Sequence, residues 1–134
     1  MRRISARAAA LFCLAFAIFQ AALALGAPYG QVVWGGSTAV LSTGLRAASA
    51  GACVYLLAIG AMMLGRAGDW GRTWPRWPFL AVNILLAVQL ALNTAANLAA
   101  KTGTERYGMG AASALGCLFC LGALWPGKRA EREA

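Results

Sequence analysis

Apolar residues gather into four runs, each closed off by charge, proline or tryptophan. The first, AAALFCLAFAIFQAALALG, follows Arg7 and ends at Gly26. The second, AASAGACVYLLAIGAMMLG, lies between Arg46 and Arg66, and the third, PFLAVNILLAVQLALNTAANLAA, between Trp77 and Lys101. The fourth, GMGAASALGCLFCLGALW, runs from Gly108 to Trp125. About 20 apolar residues cross a hydrocarbon core of about 30 Å. Backbone amides find no partners in hydrocarbon, so each run must pair its own backbone as a helix; the alternation of a barrel strand is absent. The pattern predicts an all-α fold, a transmembrane four-helix bundle. Residues 1–134 form a single integral membrane domain, with spans at about 8–26, 47–65, 79–100 and 108–125.

Composition agrees. Hydrophobic residues make up 60% and charged residues 12%, against about 45–50% and about 25% in soluble domains. The net charge is +8, from 12 Lys and Arg against 4 Asp and Glu. Arg2, Arg3, Arg7, Arg66, Arg72, Arg76, Lys128, Arg129 and Arg132 fall on one side of the predicted spans. Arg46, Lys101 and Arg106 fall on the other, a division of nine to three. By the positive-inside rule both termini are cytoplasmic, in a multi-pass protein of the inner (plasma) membrane. The charge is then a topology signal, and no nucleic acid is expected as a partner. The first run also has the basic start and small-residue site (Ala22, Leu23, Ala24) of a signal peptide. It exceeds the apolar stretch of about 7–15 residues usual there and carries Gln20, so a retained span is expected.

The segment APYGQVVWGGSTAVLSTGLR, before the second run, is broken by glycine and proline yet too apolar for a free loop. It should fold back on the outer mouth of the bundle. The loop RAGDWGRTWPRWP interleaves Trp70, Trp74 and Trp77 with Arg72 and Arg76. Tryptophan favours the headgroup level and arginine favours anionic headgroups, so membrane lipids are the expected partners there.

The third run carries Asn83, Gln89, Asn93 and Asn97. At about 100° per residue they share about 120° of helix face. Lipid cannot satisfy amides, so that face turns toward protein or water. Matching depths at about 1.5 Å per residue predicts a polar cluster in the outer half: Gln20, Ser49, Cys53, Gln89, Asn93, Asn97 and Ser113. One reading is interhelical hydrogen bonding, at about 0.6 kcal/mol per bond. The other is a binding site for a small polar or amphipathic ligand.

The chain has no histidine, which removes the commonest general base and metal ligand, and no ionisable group falls firmly inside the runs. Proton-coupled transport is disfavoured accordingly; a homo-oligomeric channel or transporter is kept as an alternative. Cys13, Cys53, Cys117 and Cys120 are the thiols. Cys117 and Cys120 form a CxxC, the spacing of redox pairs and of an alternative reading as a four-span thiol oxidoreductase. Against it, the pair sits deep in an apolar helix, where Ala112, Gly116 and Cys120 make a small-residue row suited to close packing. No cofactor or metal is expected. The favoured function is non-enzymatic: binding of a lipid-like or small polar ligand, or of a partner membrane protein, another copy included.

Short motifs carry a likeness. Gly26, Ala27, Pro28, Tyr29 and Gly30, then Trp34, Gly35 and Gly36, then Leu41, Leu45 and Arg46 resemble an uncharacterised family of small bacterial four-span membrane proteins with a GAPWG…WGG outer-loop motif. Asn93, Asn97, Glu105 and Arg106 extend the match. Tyr29 stands where that family has tryptophan, and a proline expected near the last span is missing. The resemblance implies the four-span layout and no activity. It draws attention to Arg46 and Glu105, the only acid on the outer side, as an ion pair latching the two outer loops.

Overall fold

Helix α1 (Arg2–Ala24) starts well before the apolar run, since nothing in the arginine-bearing first turns opposes helix formation. The computed structural model describes residues 1–33, 38–100 and 103–125. Trp34, Gly35, Gly36, Lys101, Lys128, Arg129 and Arg132, and the side chain of Glu105, lie outside the described residues. Helix α2 (Thr43–Ala67) begins at Ser42, whose hydroxyl accepts from the Leu45 amide at 3.5 Å. It ends at Gly68, whose φ of 87° lets the amides of Gly68 and Asp69 reach the carbonyls of Gly65 and Leu64. Pro78 opens α3 (Trp77–Leu98), where a missing amide hydrogen costs nothing. Helix α4 (Gly110–Leu124) follows a π-helical turn over Thr104–Met109. Four helices are long and apolar enough to cross a membrane, and no strand occurs among the described residues.

Helix α1 packs most extensively on α2, and α3 on α4; α1 also lies along α4, while the α2–α3 seam is the thinnest. The helices form a ring in chain order, running up and down. One end of the bundle carries Met1, the α2–α3 turn and Trp125; the other carries residues 25–33 and 38–42 of the connection between α1 and α2.

Small residues set the close approaches. Ala6, Ala9, Ala10, Cys13 and Ala17 form the buried stripe of α1. A Cβ on Gly60 would lie 3.3 Å from that of Cys13, and one on Gly116 would lie 2.8 Å from the Phe12 ring. Gly65 admits the Phe79 ring, leaving no room for any side chain. The main core joins α1, α2 and α3 to Cys120 and Ala123. A second cluster of Leu23, Val33 and Leu41, with Phe19, Val32, Leu45 and Met109 against it, seals the loop end. The connection therefore folds down onto the bundle. A 3₁₀ turn at Gly30–Val32 and a bond from the Gly30 amide to the Ala39 carbonyl at 2.8 Å hold it there.

Helices α1, α2 and α3 begin before the expected spans, and α2 also runs two residues past its own. Arg66 lies in the last turn of α2, half-buried, donating to the Ala123 carbonyl at 3.1 Å; it is a bundle residue as well as a loop charge. Arg46, in the first turn of α2, donates from Nε to the Ala24 carbonyl at 2.9 Å and so caps the end of α1. Arg7 pairs with Asp69 through Nε to Oδ2 at 3.0 Å and Nη2 to Oδ1 at 2.6 Å. Trp70 donates to the Ala61 carbonyl at 2.7 Å and meets Phe79 edge-on, with Trp74 stacked beside them. Trp74 and Trp77 stay well exposed.

Candidate functional site

A cavity of about 390 Å³ lies in the loop-end half of the bundle, within the range of about 300–1,000 Å³ usual for small-molecule sites. All four helices line it. Phe12, Phe16 and Gln20 come from α1, and Ala52, Tyr55 and Leu56 from α2. Helix α3 supplies Leu86, Gln89, Leu90, Asn93, Ala96 and Asn97, and α4 supplies Ser113. Val32 and Val33 of the connection and Met109 of the π turn close the top.

Of the residues expected to cluster, Gln20, Gln89, Asn93, Asn97 and Ser113 line this cavity, and Ser49 and Cys53 do not. Depth alone suggested those two, but azimuth separates them. Cys53 lies within about 20° of Gly60 on the helix wheel, and Gly60 faces Cys13 of α1. Ala52 and Tyr55 lie on the side nearer α3. Ser49 is fully buried and has a partner, and it does not line the cavity. Tyr55 is a polar wall residue outside the cluster expected from the sequence. An aromatic hydroxyl deep in an apolar run needs a polar partner, and that was the available signal.

The amides divide by what they do. The Tyr55 hydroxyl donates to Gln89 Oε1 across the α2–α3 seam. Asn97 Nδ2 donates to Ser113 Oγ at 3.4 Å, joining α3 to α4. These two contacts are cross-helix ties. Thr94 spends its hydroxyl on the Leu90 carbonyl of its own helix at 2.8 Å. Gln20 differs: its Oε1 is buried with no hydrogen-bond partner among the described residues. Asn93 is exposed on the cavity wall, between Gln89 and Asn97 on the helix face. Asn83, on the same face of α3, is fully buried below the cavity, with neither end of its amide bonded to a described residue.

The outer-loop motif surrounds the top rather than the interior. Pro28 and Tyr29 are exposed, with the Tyr29 ring 6.5 Å from that of Phe19. Gly30 is buried where any Cβ would meet the Thr38 carbonyl. The Cys117 and Cys120 thiols are free. Cys120 is fully buried in the main core, and Cys117 Sγ donates to the Ala87 carbonyl at 3.5 Å. Neither lines the cavity. Comparisons with protein-family models, curated proteins and solved structures give no match.

Proposed function

We propose that the chain is a multi-pass protein of the inner (plasma) membrane, with both termini cytoplasmic, that binds a small amphipathic ligand non-enzymatically in the loop-end cavity. The division of basic residues between the loops supports the orientation. One observation carries the binding reading: a cavity of about 390 Å³ whose wall sets the neutral polar side chains of Gln20, Tyr55, Gln89, Asn93, Asn97 and Ser113 beside Phe12, Phe16, Leu56 and Leu86. The thinness of the α2–α3 seam supports entry sideways from the bilayer.

The test is extraction of the protein with its native lipid into nanodiscs, followed by mass spectrometry of what co-purifies. A stoichiometric amphiphile is expected with the wild type. Asn93→Leu should lose it while unfolding at nearly the same temperature. An Asn93→Leu protein that keeps its lipid, or simply fails to assemble, would leave hydrogen bonding between helices as the role of the amide face.

A further inference from the structure

A trough of about 360 Å³ runs down the outside of the bundle between α1 and α2. Leu11 and Leu14 of α1 and Leu57 and Leu64 of α2 stand exposed as its walls. Ala10 and Gly60 are buried at its floor, where a Cβ on Gly60 would lie 3.5 Å from the Ala10 carbonyl. At about 1.5 Å per residue, the stretch from Arg7 to Leu14 is about 10 Å long. Arg7 is the charged residue of the lining. It marks the end at the α2–α3 turn, where it pairs with Asp69. Trp70 of the same turn donates to the carbonyl of Ala61, a lining residue, at 2.7 Å. That brings an indole against the trough at its charged end, the placement tryptophan takes beside headgroups. Arg3 and Arg72 are exposed and stand close enough for their charges to act on the Asp69 carboxylate. The Gly68 carbonyl holds Arg72 Nε at 3.2 Å. Asp69 is the only acid at this end among the described residues. Three guanidiniums against one carboxylate leave two positive charges at the head of a trough walled by leucine. A zwitterionic headgroup would bring its own ammonium to that cluster, whereas a headgroup of net negative charge complements it. The trough below offers only hydrocarbon, so the complementary molecule joins an anion to an acyl chain.

We propose that the α1–α2 trough is a binding site for one acidic phospholipid, its phosphate among Arg3, Arg7 and Arg72 and an acyl chain laid between the leucines. The site is separate from the loop-end cavity and stands whatever that cavity binds. It is also narrower than a general attraction of the basic loop to lipid, because it needs the arginines and the trough together. The test titrates the full-length protein in detergent with dioleoyl phosphatidylglycerol and, separately, dioleoyl phosphatidylcholine, and follows the first bound lipid by native mass spectrometry. Phosphatidylglycerol should bind about tenfold more tightly, the scale of two unbalanced arginines. Arg3→Gln with Arg72→Gln should bring the two lipids to near-equal affinity. Lys101→Gln with Arg106→Gln, which removes the same charge beyond α3, should leave the ratio unchanged. Ala61→Leu, which fills the trough and keeps the arginines, should weaken phosphatidylglycerol severalfold; Ala61→Met serves if that variant misfolds. Equal wild-type affinity for the two lipids overturns the acidic headgroup. A preference that survives the loss of Arg3 and Arg72, or that falls as far with Lys101 and Arg106, reports the overall charge and overturns the site. Full affinity in both Ala61 variants overturns the trough as the seat of the chain.

Discussion

Asn83 shows what a residue read in isolation hides. On a helix wheel it belongs with Gln89, Asn93 and Asn97, and the sequence makes all four look like one polar stripe. Along the axis it stands about 21 Å from Asn97 at about 1.5 Å per residue, which puts it in the core below the cavity, fully buried. Angle was legible from the sequence; the floor of the cavity was not, because it depends on where Leu86 and Phe12 meet. With both ends of its amide unpaired among the described residues, Asn83 should be a liability. Asn83→Leu keeps the volume and removes the polar atoms, so it is expected to stabilise the bundle by about 1–3 kcal/mol. Chemical or thermal unfolding in detergent would measure it, and a lower midpoint would show that the amide is satisfied in lipid.

The apolar runs located the four helices, because hydrocarbon admits no other backbone, but they understated helix ends: α1 reaches back to Arg2 and α2 on to Ala67. A charged residue in a terminal turn interrupts an apolar pattern without interrupting a helix. Which helix pairs are tight was not legible either, since that depends on which glycine or alanine meets which ring. Here the α2–α3 seam is the thinnest, and the Tyr55–Gln89 bond bridges it. Tyr55→Phe removes that bond at a cost of only about 0.6 kcal/mol in a membrane setting, so the fold should persist while the seam loosens. Hydrogen–deuterium exchange is expected to rise in the facing stretches of α2 and α3 and stay unchanged between α1 and α2. A uniform rise would mean instead that the bond supports the whole bundle.

At the scale of the whole molecule, the ion pair between Arg7 and Asp69 ties α1 to the α2–α3 turn across 62 residues of sequence. Nothing local reveals it; Asp69 reads as a stray acid in a basic loop. The hydrogen bond from Arg7 holds the Asp69 carboxyl below the usual carboxylate range; desolvation opposes it, and the charges of Arg7, Arg3 and Arg72 add to the lowering. A carboxyl depressed in the folded state contributes stability that is present above its unfolded value, about 3.9, and disappears as pH falls through the lower folded value. The unfolding midpoint should therefore decline on acidification from about pH 5 toward pH 2–3, and Asp69→Asn should flatten that decline. An identical slope in wild type and variant would assign it to other carboxyls. The pair is solvent-facing, so the effect is expected to be small and sensitive to salt.

The π-helical turn over Thr104–Met109 makes the chain unevenly tolerant of a change in length. A π turn holds one residue more than the α-helical path it replaces. Removing a single residue such as Gly108 can return the stretch to ordinary α-helix, turning only what precedes it. The same deletion inside α4 would rotate Ser113 or Cys120 by about 100° out of the bundle. Stability measured across a scan of one-residue deletions should therefore show a permissive window at 104–109, flanked by intolerance beyond Gly110. The slack in this chain's register would then sit directly above the cavity, where the last helix can be re-indexed without being moved.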